Sequence, residues 1–213
     1  MGDLLTGTNI SFLLNGLKIT ITIAVATTFI SILCGTILGV IKTYYRGILS
    51  KIASIYIEIF RNTPLILWIL VCRFMIPIKP LYSGILSMSL FTTAVMAEII
   101  RGGLNSVNQG QYEAGISQGF RKTQVLRYII LPQAFKNMVP AMLSQVISTI
   151  KDTSFLWIVG IEEFTGKGMI LMGSFATSAQ VFELFALIAL TYFVVNFILA
   201  FIVKKSQGNR SLA

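Results

Sequence analysis

Residues 19–41 read ITITIAVATTFISILCGTILGVI, a run of 23 residues that contains no charged side chain. A membrane-crossing α-helix needs about 20 consecutive, predominantly apolar residues, so this stretch predicts a transmembrane helix. Its threonines can donate hydrogen bonds to the helix's own carbonyls, which makes them compatible with burial in lipid. Gly35 and Gly39 stand four residues apart, and this small-residue spacing lets a neighbouring helix approach closely.

The composition of the whole chain is that of a membrane protein. Only 12% of its 213 residues are charged, against about 25% in soluble domains, and so few cannot coat a soluble surface. There is no His, and Cys34 and Cys72 lie far apart in apolar runs. These features exclude His-based metal sites, Cys/His nucleophilic pairs and CxxC redox chemistry. No basic face interleaved with aromatic residues supports nucleic-acid binding.

Four further spans are predicted. The second covers about residues 53–75 and is interrupted by polar residues and a proline, and the third covers about 81–104. The fourth covers about 137–157 and the fifth 184–203. Residues 168–182 are uncharged but short and rich in Gly, Ser and Thr, which predicts a half-buried loop or helix, with a sixth span as the alternative.

The length leaves no space for an additional soluble domain of standard size. We therefore expect a single transmembrane domain over residues 1–213, with its core at about 15–204. The longest polar stretch, about residues 105–136, separates the third and fourth predicted spans.

Basic residues orient the predicted spans, because they accumulate in cytoplasmic loops. With five spans and the N-terminus outside, the inner loops carry ten basic residues against one acidic residue. The outer segments then carry three basic residues against four acidic ones. The opposite orientation would invert the rule, so the predicted topology has the N-terminus outside and the C-terminus in the cytoplasm.

Seven charged residues fall inside the predicted spans: Glu58, Arg61, Arg73, Glu98, Arg101, Lys151 and Asp152. An isolated charge in hydrocarbon costs roughly 3 kcal/mol or more, so these side chains should face protein or water. Residues three apart on a helix share a face, which predicts the pairs Glu58–Arg61 and Glu98–Arg101. The adjacent Lys151 and Asp152 point about 100° apart, so they need separate partners unless the helix opens there. Structural ion pairs and a lined translocation path are both consistent with this pattern.

The polar stretch at residues 105–136 contains Gln111-Tyr112-Glu113-Ala114-Gly115, then Gly119, and then a basic segment that ends in Ile129-Ile130-Leu131-Pro132. Turn chemistry predicts two short helices with Gly119 between them and a stop at the proline. By itself this pattern is typical of an ordinary loop between spans.

Four motifs, taken in order, resemble those of ABC importer membrane subunits. Glu113-Ala114-Gly115 with Gly119 and Ile129-x-Leu131-Pro132 is similar to the EAA loop, E-A-A-x-x-x-G-x9-I-x-L-P, with Gly115 in place of the second Ala. The other three motifs of this sequence resemble motifs of the polar amino acid branch of that family. They are Glu58-x-x-Arg61-Asn62-Thr63-Pro64-Leu65, Ala97-Glu98-x-x-Arg101-Gly102-Gly103 and Lys151-Asp152-Thr153-Ser154. Trp68 stands where that branch usually has Gln, and Arg73 lies in a stretch that is usually uncharged.

The resemblance, which covers about residues 15–204, implies an all-α integral membrane protein with the type I ABC importer permease fold, five transmembrane helices and a cytoplasmic coupling loop. It implies a permease subunit that imports a polar amino acid across the bacterial inner membrane. The implied partners are two cytoplasmic ATPase subunits that use ATP and Mg, a second copy or a similar permease, and an extracytoplasmic binding protein. The chain lacks a GxxxxGK[ST] loop, so it is not expected to be the ATPase or to bind a cofactor. The alternative is a non-transporting membrane scaffold or sensor that docks a cytoplasmic partner through residues 105–136.

The resemblance also implies a coupling set, which consists of Glu113, Ala114, Gly115, Gly119, Leu131 and Pro132. Residues 108–122 would lie as a short helix in a groove of the ATPase. Glu113 would accept hydrogen bonds from free backbone N–H groups near the helix start, and Gly119 would permit a tight turn.

The implied substrate path consists of Arg61, Asn62, Thr63, Pro64, Arg73, Glu98, Arg101, Lys151, Asp152, Thr153 and Ser154. An amino acid's ammonium group would interact with Glu98 or Asp152, and its carboxylate with Arg61, Arg101 or Arg73. For Arg73, the competing interpretation is an arginine that extends to the outer interface near Pro77 and Lys79.

The predicted topology can be tested by cysteine labelling. In a background without Cys34 and Cys72, single cysteines at Gly2 and Ser206 should react with a membrane-impermeant reagent from opposite sides of the membrane. Reaction of both from the same side would mean that residues 168–182 form a sixth span.

Overall fold

A computed structural model describes residues 6–208 of the chain, and every regular element in that range is helical. Gly2, one of the two labelling positions above, lies outside the described residues. The helices in chain order are α1 (Gly7–Tyr44), α2 (Ile48–Arg61), α3 (Leu65–Met75), α4 (Pro80–Asn105), α5 (Gln109–Ser117), α6 (Lys122–Val125), a π-helical turn (Leu126–Ile130), α7 (Leu131–Asp152), a 3₁₀ segment (Thr153–Val159), α8 (Phe164–Met172) and α9 (Ser178–Gly208).

The five predicted spans correspond to α1, the pair α2 and α3, α4, α7 and α9. Three of these helices, α1, α4 and α9, are each long and apolar enough to cross a membrane, and α2 with α3 forms a pair bent by 101°, which fits a broken span or a re-entrant loop. Helix α7 has 22 residues, which is about 33 Å and enough to cross the hydrocarbon layer. Its polar side chains keep it from being identified as a span by hydropathy alone. Helix α1 begins twelve residues before the predicted span.

Helix α1 packs closely against α4 at the two glycines noted in the sequence. A Cβ atom at Gly35 would lie 2.9 Å from the Met96 Cβ, and one at Gly39 would lie 2.7 Å from the Ala97 carbonyl oxygen. Real Cβ atoms do not approach other atoms so closely, so a larger residue at either position would push the two helices apart. The expected role of this glycine pair is therefore confirmed.

The buried side chains of the described residues join these helices in three clusters. One connects α1, α3 and α4 with the 3₁₀ segment and includes Ile23, Ile69 and Met88. The second joins α1, α8 and α9. The third joins α4 to α7 and includes Met96 and Met138.

The predicted helix stop at Pro132 is wrong. Helix α6, the π-helical turn and α7 form one uninterrupted helical run from residue 122 to residue 152, and Pro132 lies in the first turn of α7. The π-helical turn ends with the Leu131 N–H donating to the Leu126 carbonyl. The proline causes no break because the π-helical turn directly before it already departs from the α-helical hydrogen-bond pattern, as π-bulges within helices do.

The segment at residues 168–182 is not a sixth span. It contains the second half of α8, a nine-residue helix of about 14 Å, which is too short to cross a bilayer. Gly166, Lys167 and Gly168 are buried, so α8 packs into the bundle. The prediction of a half-buried loop or helix at this point is confirmed.

Glu163 connects three helices from a fully buried position. Its carboxylate caps α8 by accepting hydrogen bonds from the backbone N–H groups of Gly166 at 2.7 Å and Thr165 at 3.0 Å. The same carboxylate accepts from the Thr20 hydroxyl of α1 at 3.1 Å and the Tyr192 hydroxyl of α9 at 3.0 Å. Glu163 is one of the four acidic residues assigned to the outer segments by the charge distribution, but its exposed fraction is 0%.

Replacement of this carboxylate should destabilise the fold. In Glu163→Gln, an amide NH₂ replaces one of two oxygens that face donors, so at least one buried hydrogen bond is lost, at a cost of about 1–3 kcal/mol. We expect the melting temperature of the detergent-solubilised protein to fall by several degrees. The control is Glu162→Gln, a neighbouring exposed position, which should leave the melting temperature unchanged. Equal melting temperatures for the two variants would contradict the role given to Glu163.

Candidate translocation path and coupling loop

Four charged side chains from three helices meet at Glu98. We call Lys42, Arg61, Glu98 and Arg101 the Glu98 cluster. The Glu98 Oε1 accepts from the Arg101 Nε at 3.0 Å and lies 3.8 Å from the Arg61 Nη1, and the Glu98 Oε2 lies 3.4 Å from the Lys42 Nζ. One carboxylate therefore faces three cations, and both of its oxygens are occupied.

The predicted pair Glu98–Arg101 is confirmed, whereas the predicted pair Glu58–Arg61 is wrong. Among the described residues, Arg61 forms its ion pair with Glu98 of α4, and Glu58 is exposed. An ion pair along one exposed helix face gains little energy. Arg61 ends α2, and there its long side chain can extend to the neighbouring helix. Lys42 was not predicted to belong to this cluster, because it is one of the ten basic residues assigned to the inner loops, although it lies in the last turn of α1.

The motif at residues 61–65 forms the break between α2 and α3. The Thr63 hydroxyl donates to the Ile59 carbonyl at 2.7 Å and accepts from the Trp68 Nε1 at 2.8 Å. The Trp68 ring packs on Phe60 with centroids 4.1 Å apart. Pro64 is the N-cap of α3, with a φ of −64° that suits proline. Trp68, the departure from the family pattern, therefore stabilises the break between the two half-helices.

The other two members of the substrate-path set near this break are Asn62 and Arg73. Asn62 is the C-cap of α2 and is exposed. Arg73 lies in the last turn of α3 and forms no ion pair with any described residue. Its buried Nε has no hydrogen-bond partner in that part of the chain. Arg73 does not belong to the Glu98 cluster.

The Lys151-Asp152-Thr153-Ser154 motif lies where α7 changes into the 3₁₀ segment. Thr153 is buried and donates to the Ile150 carbonyl at 2.7 Å, and Ser154 is half-buried. Lys151 is exposed, Asp152 is half-buried, and neither forms an ion pair within the described range. Of the two predicted alternatives, separate ion-pair partners or an opening of the helix, the first is not observed in that range, and the α-helix ends at Asp152 and continues as a 3₁₀ helix.

Helix α7 carries a polar stripe that was not predicted. Its members lie within an arc of about 60° over a length of about 27 Å, given 100° and 1.5 Å per residue. Three of its five members are exposed and two are half-buried in the single subunit. The five members of the stripe are Gln133, Asn137, Ser144, Ser148 and Lys151. The spacing of 4, 7, 4 and 3 residues could have revealed this stripe, but the apolar residues between them obscure it.

The structure does not bring all predicted path residues into one site. No hydrogen bond or ion pair between described residues joins the Glu98 cluster to the stripe or to Asp152. However, α3, which follows the break, contacts the 3₁₀ segment that follows Asp152. Helix α3, which begins directly after the interruption at residues 62–64, therefore packs beside the second interruption, at residues 153–159.

The coupling loop begins with α5, whose cap differs from the prediction. The Asn108 side chain accepts from the Gly110 N–H at 2.7 Å and is the N-cap. Glu113 lies in the second turn of α5 and accepts from the Gln109 Nε2 at 3.0 Å. The predicted role of Glu113 at the helix start is wrong, because the N-cap must precede the first turn.

Two glycines determine how α5 ends and packs. The φ of Gly119 is +85°, and hydrogen bonds from the Gly119 N–H to the Ile116 carbonyl and from the Phe120 N–H to the Gly115 carbonyl close the helix. This is the Schellman arrangement, which favours glycine at this position. A Cβ at Gly115 would lie 2.9 Å from the Val125 Cγ2, so the glycine lets α5 pack closely on α6.

The remaining coupling residues lie on exposed parts of this region. Ala114, Leu131 and Pro132 are exposed. The large apolar side chains of Ile116 and Phe120 are 40% and 39% exposed. A loop that connects two spans thus presents apolar side chains outside the bundle, as an interaction surface does.

Comparisons with known proteins match this architecture over almost the whole chain. Residues 31–207 match the family described as "Binding-protein-dependent transport system inner membrane component". The chain is 34% identical to a probable glutamine ABC transporter permease protein of Bacillus subtilis (strain 168), with 93% of this chain and 94% of that protein covered. It is 30% identical to the glutamine transport system permease protein of Escherichia coli (strain K12), with 93% and 92% covered.

Solved structures give the same result for the fold. A crystal structure of an amino acid ABC transporter with histidines superposes with a TM-score of 0.87 at 27% identity, over 95% of each chain. An inward-facing methionine ABC transporter superposes with a TM-score of 0.76 at 19% identity, over 94% of this chain and 99% of that one. The arrangement of α1 to α9 is that of type I ABC importer permeases, and the chain belongs to the family of inner membrane components of binding-protein-dependent transport systems.

Proposed function

We propose that this chain is the permease subunit of an ABC importer that carries a polar amino acid into the bacterial cytoplasm. The observation that carries the proposal is the match along the full length to permeases named for glutamine. The charged and polar side chains inside the bundle support it, because they are suited to a zwitterionic cargo. Specificity between individual amino acids is shared with an extracytoplasmic binding protein.

In this proposal the chain works in a complex of several subunits. Two ATPase subunits bind ATP and Mg, and a second copy of this chain or a similar permease completes the membrane part. The N-terminus lies outside and the C-terminus in the cytoplasm, as the charge distribution of the loops favours. The coupling loop then faces the ATPases.

The substrate path follows the polar stripe of α7 and the neighbouring helix interruptions. A polar stripe of this length is costly against lipid, so it faces water or another subunit. Asp152 interacts with the cargo ammonium, because it has no ion-pair partner among the described residues, whereas both Glu98 oxygens are occupied by cations. Arg61, whose side chain is 45% exposed, interacts with the cargo carboxylate.

Energy coupling follows from the packing of α5. ATPase closure moves α5, which is seated in an ATPase groove through Ile116 and Phe120. Helix α5 packs on Val125 through Gly115, and Val125 belongs to the helical run that continues into α7. A displacement of α5 is therefore transmitted directly to the helix that bears the polar stripe.

The Glu98 cluster provides a test of the path. Glu98→Gln leaves three cations without their carboxylate, so we expect an assembled complex with uptake reduced at least tenfold in proteoliposomes. The control Glu58→Gln removes an exposed carboxylate that forms no ion pair with a described residue, and uptake should stay normal. In the double variant Glu98→Gln/Arg101→Met, uptake should remain reduced at least tenfold. Restored uptake in that double variant would show that the pair is structural and would remove it from the path.

The turn at Gly119 provides a test of coupling. In Gly119→Val, a β-branched residue must adopt a positive φ, which is a strained conformation that moves the end of α5. The membrane helices keep their packing, so the protein should insert normally but lose ATPase subunits or substrate-stimulated ATP hydrolysis. The control Gln118→Val lies at the adjacent position, where φ is −81°, and should retain both.

The measurements are co-purification of the ATPase and its hydrolysis in liposomes with and without substrate. Normal binding and normal coupled hydrolysis in Gly119→Val would show that this loop does not transmit energy. Bound ATPase without substrate-stimulated hydrolysis in the wild-type complex would instead favour a scaffold or sensor.

A further inference from the structure

An open apolar groove of about 410 Å³ lies on the bundle surface between α1, α2 and α4. Its walls include Cys34, Ile37 and Leu38 of α1, Ile52 and Tyr56 of α2, and Leu90 of α4. The polar atom of Tyr56 is used internally, because its hydroxyl donates to the Leu90 carbonyl at 2.6 Å. The groove therefore presents mainly hydrocarbon to whatever occupies it.

One end of this groove is basic. Helix α1 ends at Tyr44 and α2 begins at Ile48, so the two helices that form the walls meet at the connection of residues 45–47. Residues 42–57 contain three cations and no carboxylate. Lys42 interacts with Glu98. Arg46 and Lys51 are exposed and form no ion pair with a described residue.

Aromatic side chains mark the same end as a membrane–water interface. Tyr44 and Tyr45 are 48% and 55% exposed, and tyrosines concentrate at the level of the lipid headgroups. Ile37 and Ile52, which line the groove, are 60% and 59% exposed, as expected of side chains that contact hydrocarbon. The groove thus runs from an interfacial, basic end into the apolar part of the bundle surface.

We propose that this groove binds an anionic phospholipid, with one acyl chain between Ile37 and Ile52 and the phosphate group held by Arg46 and Lys51. Basic pockets between membrane helices are suited to acidic headgroups, and an acyl chain matches the apolar walls. A zwitterionic lipid would leave the charges of the two cations uncompensated. Selectivity for the headgroup distinguishes this site from the general lipid contact of a membrane helix.

The first test measures lipid retention by the purified, delipidated permease complex in native mass spectrometry. We expect phosphatidylglycerol to bind more tightly than phosphatidylcholine. The double variant Arg46→Gln/Lys51→Gln should weaken phosphatidylglycerol binding about 5-fold per cation, and so about 30-fold in total, and leave phosphatidylcholine unaffected. The control Arg127→Gln/Lys136→Gln removes the same charge from exposed positions away from the groove and should bind phosphatidylglycerol like the wild type.

The second test locates the acyl chain. A phosphatidylglycerol with a photoactivatable group in its acyl chain should crosslink to peptides that contain residues 34–38 or 52–56. Ile52→Trp, which narrows the groove without changing its charge, should abolish that crosslink while the complex stays assembled.

Three outcomes would overturn the proposal. The first is equal retention of the two lipids, and the second is phosphatidylglycerol binding that is unchanged in Arg46→Gln/Lys51→Gln. The third is an oxidative Cys34–Cys34 crosslink between two permease copies, because it would show that a second copy covers the groove. The site does not depend on the transported substrate. A loss of amino acid uptake with normal lipid retention would therefore contradict only the proposed function.

Discussion

The close approach of α1 and α4 determines where the charged side chains of this permease can meet. Gly39 lies against the backbone of Ala97, and Glu98 is the next residue of α4. Lys42 follows Gly39 by three residues, on the same face of α1. The missing side chain at Gly39 therefore brings Lys42 to 3.4 Å from Glu98. A larger residue at Gly39 would separate the helices and, with them, this ion pair.

From that contact the rest of the charged arrangement follows. Arg101 lies one turn after Glu98, and Arg61 approaches from the end of α2, where the chain breaks before α3. Three cations around one carboxylate leave an excess of two positive charges, and such an excess is tolerated in a bundle interior only where the cations keep contact with water or with further anions. Arg61 and Arg101 are 45% and 33% exposed, so the cluster has such contact on one side.

Local sequence rules predicted features within one element and failed where distant segments meet. The Glu98–Arg101 pair, the glycine packing of α1 and the turn at Gly119 each depend on a few neighbouring residues, so the spacing sufficed. Arg61 has a carboxylate three residues before it, yet it pairs with Glu98 of another helix, and only the tertiary fold decides between them. The burial of Glu163 depends likewise on Thr20 and Tyr192, which are distant in sequence. The rule that a proline ends a helix failed at Pro132, because a π-helical turn directly before it accommodates the residue within a continuous helical run.

The positions of irregular backbone connect the local motifs to transport. Irregular backbone at membrane depth is tolerated where it is buried in protein or lines a water-filled cavity. The break at residues 62–64 interrupts the pair α2 and α3, and the 3₁₀ segment at residues 153–159 follows the end of α7. Each directly follows charged residues, Arg61 in one case and Lys151 and Asp152 in the other. Helix α3, which begins after the first interruption, contacts the 3₁₀ segment. A purely structural set of ion pairs would not require the regular α-helix to end at these charges, because an intact α-helix satisfies its own backbone groups. A hydrated path past the ends of α2 and α7 accounts for both the charges and the changes of helix type, and this favours a transport role for the two motifs over a scaffold role.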